Sequence, residues 1–431
     1  MKRFSSFIFK DYNFNKESKT LELMYSFDDQ LNFKETFVFD FNFIDYNPQV
    51  LNKAIEILFF ICGISYFKAY LVDKIEIKKG LIDKNLELFL NKLYKKGLGE
   101  YLFINQLDFD TIAPFKANTE ESFQPLYQDT SGAIVGVGGG KDSLVVIEAL
   151  RNKVSNLKTW SLNHKSKLEP LVDKIGLEHL YVERTIDPLL LKLNKEDALN
   201  GHIPISSIIA SCGVIVAILS GAKDIIVGNE QSSNEPTLMY KNEMINHQYS
   251  KSEEFEKDFQ KYLLDTFKNS FRYYSFLRSL SELRIAEIFT NNYFNQYKEF
   301  FSSCNRAFQL DSEGLYWCGE CPKCAFIFLI FTPFIEKGEL TKLWNGKNLL
   351  LDKSLDQTYR NLLGISGDKP LDCIGEIKES RSAMLLAQEK YQELKNRFVF
   401  EVPKDYDFKK IYPNSMPEDI DLIFKEYLAR V

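Results

Sequence analysis

One stretch, Ala133-Ile-Val-Gly-Val-Gly-Gly-Gly-Lys-Asp-Ser-Leu-Val-Val-Ile-Glu-Ala-Leu150, limits the folds open to this chain. Ala133 to Val137 reads as a buried strand. Gly138, Gly139 and Gly140 break it, and apolar residues resume at helical spacing through Leu144, Ile147 and Leu150. Strand, glycine turn and helix N-terminus together make an anion site. The glycines let backbone approach a phosphate, while first-turn N–H groups and the helix dipole favour negative charge. Lys141 adds a positive charge, Ser143 a hydroxyl donor, and Asp142 a carboxylate able to hold Mg²⁺. The Walker A spacing is absent, and Lys-Asp-Ser directly after the glycines excludes a dinucleotide fingerprint.

Strands and helices alternate beyond the loop. Leu157 to Leu162, His179 to Val182 and Asp224 to Val227 read as further strands with helices between them. That pattern predicts a parallel sheet with ligands at the carboxyl ends of its strands. Asn163 and His164 follow one such end and Gly228-Asn229-Glu230 another, so Asn163 and Glu230 join Gly138 to Ser143 as expected nucleotide-binding residues. His202 lies in the turn Asn200-Gly-His-Ile-Pro204 and could face the site. The apolar stretch Ile203 to Ala222 reaches membrane-spanning length, but it lies between α/β elements and reads as a buried helix.

A length of 431 residues suits two or three domains. Residues 1–116 read as an N-terminal α+β domain. Its hairpin, Leu21 to Phe27 and Asn32 to Phe41, turns at Asp28-Asp29-Gln30 and carries Phe33, Phe37, Phe39 and Phe41 on one face. Val50 to Tyr70 and Leu81 to Lys96 read as helices and Val72 to Lys78 as a strand. Residues 117–350 read as the nucleotide domain, entered through a polar linker at 117–132. Residues 351–431 read as a mostly helical extension that adds to the substrate site. Ser279 with Glu282, and Ser415 ahead of Pro417-Glu418, are expected to cap helices. The N-terminal apolar run ends at Lys10-Asp11, too soon for a signal peptide. The cytoplasm is the expected compartment, with no membrane partner. Sixty acidic residues against 54 Lys and Arg give a net charge of -6, which argues against a nucleic-acid partner.

Cys318-Gly-Glu-Cys-Pro-Lys-Cys324 spaces three thiols for one metal, and Cys304 supplies a fourth. In a reducing compartment, four such cysteines suit a closed tetrahedral Zn²⁺ site, with an iron–sulfur cluster as the competing reading. Cys373 and Glu376 lie in Leu371-Asp-Cys-Ile-Gly-Glu-Ile-Lys-Glu379, before a helical run, and could enter the site.

Gly138 to Ser143 resembles the Ser-Gly-Gly-x-Asp-Ser loop of the PP-loop ATP pyrophosphatases, with Gly138 where that family has Ser. The resemblance implies an adenine nucleotide alpha-hydrolase-like fold that splits ATP between the α and β phosphates and transfers AMP to an oxygen. Phe276 to Phe289 resembles a second element of that family, with Ser279 replacing its Pro and Arg284 standing where its Lys would meet pyrophosphate. A similar cysteine element holds zinc in the nitrile-forming deazaguanine synthase, so the resemblance favours zinc here. Cys304 to Phe308, Trp317 to Leu329 and Thr332-Pro-Phe334 resemble the ATP-dependent UDP-N-acetylmuramoyl-L-alanyl-L-glutamate epimerases of the MurL type. So do Gly136 to Ser143, Gly201-His-Ile-Pro204, Ser275 to Ile285 and Cys373-Ile-Gly-Glu376. The resemblance runs in pieces from Gly97 to Arg381.

It implies an isomerase of peptidoglycan precursor synthesis. ATP, Mg²⁺ and structural Zn²⁺ would serve a UDP-muramoyl-dipeptide whose terminal L-Glu becomes D-Glu through an acyl adenylate, releasing AMP and diphosphate. The catalytic candidates are Lys141, Asp142, Arg284, Cys373, Glu376 and His202, with Cys212 behind them. A PP-loop synthetase forming an amide, nitrile or thiocarbonyl is the rival activity, and a nucleotide-binding module without catalysis a second. Nothing in the sequence sets the oligomeric state.

Overall fold

The computed structural model describes residues 3–120, 124–309, 312–367, 369–395, 397–401 and 404–431. Residues 121–123 of the expected linker and the first two residues of the chain lie outside this description. The strands are β1 (Arg3–Asn15), β2 (Thr20–Phe27), β3 (Leu31–Asp40), β4 (Leu71–Ile77), β5 (Ala133–Gly136), β6 (Leu157–Leu162), β7 (His179–Thr185), β8 (Asp224–Val227), β9 (Leu238–Tyr240), β10 (Glu243–Ile245) and β11 (Arg272–Ser275). Nine of them form one sheet in the order β11-β8-β5-β6-β7-β3-β2-β1-β4, and β9 and β10 pair as a separate hairpin.

The sheet has two characters. From β11 to β7 every pairing is parallel. From β7 through β3 and β2 to β1 every pairing is antiparallel, and β4 then adds parallel to β1. The N-terminal hairpin therefore joins the parallel half edge to edge, with Thr36 to Asp40 of β3 against Tyr181 to Thr185 of β7. A buried ion pair marks that seam. Arg184 of β7 bonds Glu35 of β3 and donates to Ser65 Oγ at 2.9 Å.

The parallel strands are covered on both faces, so alternate residues feed two cores. Ile134, Ile225 and Tyr273 enter the core beneath the helices Pro48–Cys62 and Ile205–Ser220. Val135, Ile226 and Tyr274 enter the other, beneath the helices Lys141–Leu150, Glu282–Asn292 and Pro322–Phe331. The apolar stretch after Pro204 is a buried helix. Among the described residues, Pro48–Phe67 is the one helical segment long and apolar enough to cross a membrane, and 94% of its apolar window is buried within the protein.

Four strands, β1, β9, β10 and β11, were not legible in the sequence. In β1 the pairing with β2 shifts between Phe9 and Asp11, so the charged Lys10-Asp11 step is a bulge within a strand and not its end. β11 is short and fully embedded, and its Arg-Tyr-Tyr-Ser sequence gives no alternation to read. Two caps also differ from expectation. Ser281, not Ser279, opens the helix Glu282–Asn292 by accepting from Arg284 N. Pro417, not Ser415, stands at the N-cap of the last helix, Glu418–Leu428.

Candidate active site

The glycine loop occupies the carboxyl end of β5, and Gly140 is the N-cap of the helix Lys141–Leu150. Gly139 has φ +87°, and a Cβ there would lie 2.8 Å from the Phe308 ring. A Cβ on Gly140 would lie 2.7 Å from Ser303 Oγ, and Ser302 N donates to Gly139 O at 2.9 Å. Residues 302–308, which lead through Cys304, thus pack directly on the loop. Nothing lies within 4 Å of a Cβ built on Gly138, so that position faces open space.

Four thiols hold this packing segment. Cys304, Cys318, Cys321 and Cys324 place their sulfurs within 4.8 Å of one another, with Cys304 to Cys321 at 3.9 Å and Cys318 to Cys324 at 3.8 Å. They form a candidate metal site.

Next to the loop, Lys141 is completely buried. Its Nζ lies 2.7 Å from Asp142 and also bonds Glu282, the first residue of the facing helix. Burial works against the Lys141 ammonium, but Asp142 and Glu282 outweigh it and raise its pKa. Ser143 Oγ donates back to Gly140 O at 3.2 Å. Lys323, from the cysteine knuckle, reaches the other Glu282 oxygen at 3.6 Å and bonds the Cys373 carbonyl. Glu230 follows β8 and is buried. Burial first, then Glu282 and Asp142, raises its carboxyl to about 7, and its side chain makes no hydrogen bond among the described residues. A Cβ on neighbouring Gly228 would lie 3.2 Å from Asp142, so this turn abuts the glycine loop.

Beyond Lys323 the cluster changes chemistry. Cys373 Sγ accepts from Lys251 Nζ at 3.4 Å and lies 3.9 Å from His247 Nε2, while His247 Nδ1 bonds Glu100. Burial would push the Cys373 thiol up, but Lys251, His247 and Lys323 more than offset it and hold the pKa at about 6. Burial pulls His247 down, yet Cys373 and Glu100 together lift it to about 9. At neutral pH this geometry favours a thiolate against an imidazolium. The His202 ring stacks on His247 at 4.2 Å, and burial with its charged neighbour lowers it to about 4, leaving it neutral. Glu100, His202 and His247 also bring ligand atoms within 4.8 Å, but one Glu100 oxygen and His247 Nδ1 are already bonded to each other.

Arg278, absent from the sequence reading, fixes the frame. Fully buried against Glu256, it donates to Glu230 O at 2.7 Å, Ser233 Oγ at 2.6 Å and Lys251 O at 2.5 Å. One guanidinium thus sets the backbone of both Glu230 and Lys251, a task suited to its rigid planar fork of donors.

Other expected site residues fall elsewhere. Arg284 bonds Glu287 and donates to Val431 O at 3.4 Å, so its guanidinium serves the C-terminal helix contact and not the loop. Asn163 Oδ1 accepts from Arg184 N at 2.5 Å, tying β6 to β7. Glu376 is the N-cap of the helix Ile377–Lys390 in a reciprocal cap with Glu379. Cys212 is fully buried in the core, where burial raises its thiol pKa. His247, Glu100, Lys251 and Lys323 escaped the sequence reading. His247 and Lys251 lie four residues apart in one segment, while Glu100 and Lys323 come from two others, so the four residues spell no motif that could announce the cluster. Lys323 alone carried a signal, as the basic residue inside the cysteine knuckle.

Architecture and site together place the chain among α/β proteins that work at the carboxyl edge of a parallel sheet, with an anion-type loop beside paired acid–base groups. Comparison with known proteins narrows that class. Residues 1–276 match the family model MurL N-terminal domain and residues 300–410 match MurL C-terminal domain. The chain is 36% identical over 347 residues to the UDP-N-acetyl-alpha-D-muramoyl-L-alanyl-L-glutamate epimerase of Salinispora tropica, covering 80% of this chain and 75% of that protein. It is 35% identical over 369 residues to the epimerase of the same name from Xanthomonas oryzae pv. oryzae, covering 84% and 81%. The protein belongs to the MurL family.

Proposed function

We propose that the chain inverts the terminal L-Glu of UDP-MurNAc-L-Ala-L-Glu to D-Glu, a step of peptidoglycan precursor synthesis, at the expense of ATP. The activity named for its relatives supports the reading. The observation that carries it is the Cys373–His247 pair, an accessible low-pKa thiol against an imidazole, two side-chain links from the phosphate loop.

An ionised carboxylate leaves its α-proton too weakly acidic to remove. Transfer of AMP from ATP to that carboxylate would cancel the charge and acidify the α-carbon. In this reading the backbone of Gly138 to Gly140 and the N-terminus of Lys141–Leu150 receive the phosphates, with Lys141 balancing their charge. The donor set fits Mg²⁺, since Glu230 is a buried carboxylate without a hydrogen-bond partner among the described residues, in a turn that abuts Asp142. Bound there by Asp142 and Glu230, the ion would neutralise phosphate charge. The Cys373–His247 cluster, with Glu100 orienting the imidazole, then serves the inversion at the α-carbon, and water releases AMP and the inverted glutamate.

The four-cysteine site fits zinc. Tetrahedral coordination with Zn–S near 2.3 Å sets sulfurs about 3.8 Å apart, close to the 3.8 and 3.9 Å observed. A multi-atom iron–sulfur core would spread the thiolates further than their 4.8 Å span. Its role is to hold residues 302–308 on the glycine loop and to place Lys323. In this reading residues 1–116 supply Glu100, residues 117–350 the phosphate loop and knuckle, and residues 351–431 the Cys373 wall.

The direct test incubates the protein with UDP-MurNAc-L-Ala-L-Glu, ATP and Mg²⁺ and resolves the glutamate on a chiral column. D-Glu formed with AMP and pyrophosphate is expected. AMP release with only L-Glu recovered would point to an adenylating synthetase.

A further inference from the structure

Cys373 is better built for attack on a carbonyl than for removing a carbon-bound proton. Its sulfur sits between two cationic side chains, Lys251 at 3.4 Å and His247 at 3.9 Å, and His247 is oriented from behind by Glu100. A nucleophile beside an imidazole that a carboxylate orients is the arrangement of covalent acyl transfer. The cationic neighbours that keep the sulfur ionised also weaken it as a base, whereas a thiolate stays a competent nucleophile at neutral pH. The side chain is only partly covered, so an acyl group can reach it.

We infer that the Cys373 sulfur takes the glutamyl group from the adenylate as a thioester, and that His247 is the base that acts on its α-carbon. This rests on the epimerase reading. The sulfur attacks the activated carboxyl carbon, the C–S bond forms, the C–O bond to AMP breaks, and AMP leaves with the electron pair. No oxidation or reduction occurs. Acylation removes the negative charge 3.9 Å from His247, which helps keep that ring protonated. The ring then gives its proton to solvent and, now neutral, accepts the α-proton. Lys251, freed from the thiolate, is placed to stabilise the enolate oxygen. A water molecule delivers a proton to the opposite face, and water then cleaves the C–S bond to regenerate the thiolate and a free carboxylate, the released protons passing to solvent. The sulfur is thus both the acceptor of the activated acyl group and the switch that makes its neighbour a base.

The test uses the full chain with ATP, Mg²⁺ and UDP-MurNAc-L-Ala-L-Glu, or its α-methylglutamate analogue, which has no α-proton to lose and so can form the acyl enzyme but not the enolate. After acid quench, intact-mass analysis should find one substrate-derived acyl group on the chain, mapping to Cys373 and released by hydroxylamine. Cys373→Ala should lose the adduct and lower AMP release at least 100-fold while keeping dipeptide-dependent ATP–pyrophosphate exchange. Pyrophosphate exchange also reports that the variant is folded. His247→Gln should still acquire the adduct, yet lose exchange of the α-hydrogen. Cys373→Ala that releases AMP at the wild-type rate without inversion would overturn the thioester and leave Cys373 as a base. Absence of the adduct from both the wild type and His247→Gln in acid quenches taken within the first turnover, while AMP is released, would also overturn it. Failure of the epimerase reading looks different, because the wild type would then yield no D-Glu at all.

Discussion

The glycine loop and the thiol cluster, the two halves of the proposed site, are built in opposite ways. Gly138 to Ser143 are contiguous, and their chemistry comes from backbone geometry that six neighbouring residues determine. Glu100, His247, Lys251 and Cys373 come from distant segments and meet only in the folded chain. Lys323 and Glu282 connect the halves. The contrast separates a local motif, which a strand–turn–helix can carry anywhere, from a constellation that exists only once the whole sheet is assembled.

Breaking each half should give different failures. The largest effect is expected at Cys373→Ala, with net inversion falling roughly 10³-fold, within the range for loss of an acid–base or nucleophilic group. Chiral analysis of product reads it. Asp142→Asn should lower AMP formation by about 100-fold through loss of a preorganised contact, and pyrophosphate release checks it. If Asp142→Asn forms AMP normally, the loop is not the phosphate site.

Arg278→Ala should destabilise the fold by about 3–5 kcal/mol, because Glu256 would remain buried and unpaired. It would also release the backbones of Glu230 and Lys251. Denaturant midpoints would show it.

A gentler probe is the pH dependence of Cys373 alkylation. Its folded pKa of about 6 lies below the ordinary thiol value, so the thiolate is present above that pH and lost as pH falls through it. The alkylation rate should rise between pH 5 and 7, roughly one unit either side of that value, and then level off. Glu100→Gln should shift the profile upward by weakening the charge on His247. The smallest effect is expected at Arg284→Ala, within about 3-fold of wild type, since its partners are Glu287 and Val431. A 100-fold loss of AMP formation there would return Arg284 to the phosphates.

The elements legible in the sequence were those with a local period or punctuation. β6 and β8 have the bounds expected from the sequence, and β5 ends at Gly136, one residue short of the expected Val137. The buried faces of Phe33, Phe37 and Phe39 follow from alternation alone. The edge-to-edge joining of β3 to β7 was not legible, because strand pairing depends on partners rather than on either sequence. Glu35 and Arg184, which mark that seam, look like ordinary surface charges within their strands until they meet. The same holds for the site. Lys141, Asp142 and Cys373 stand in motifs that the sequence displays, whereas His247 follows a short hairpin, β9–β10, whose pairing the sequence does not display. Arg284 was misplaced for a related reason. A resemblance fixes a residue's position on a helix, but the partner it meets depends on what packs there, and here that is Glu287 with the chain terminus.

The central claim is that the two halves act together, the loop supplying activation and the thiol cluster supplying inversion. Incubation in D₂O with UDP-MurNAc-L-Ala-L-Glu, followed by mass analysis of the recovered glutamate, tests it most directly. Deuterium at the α-carbon is expected with ATP and Mg²⁺, and none without ATP or with an α,β-non-hydrolysable analogue. Release of AMP while the glutamate keeps its α-protium and L configuration would contradict the account.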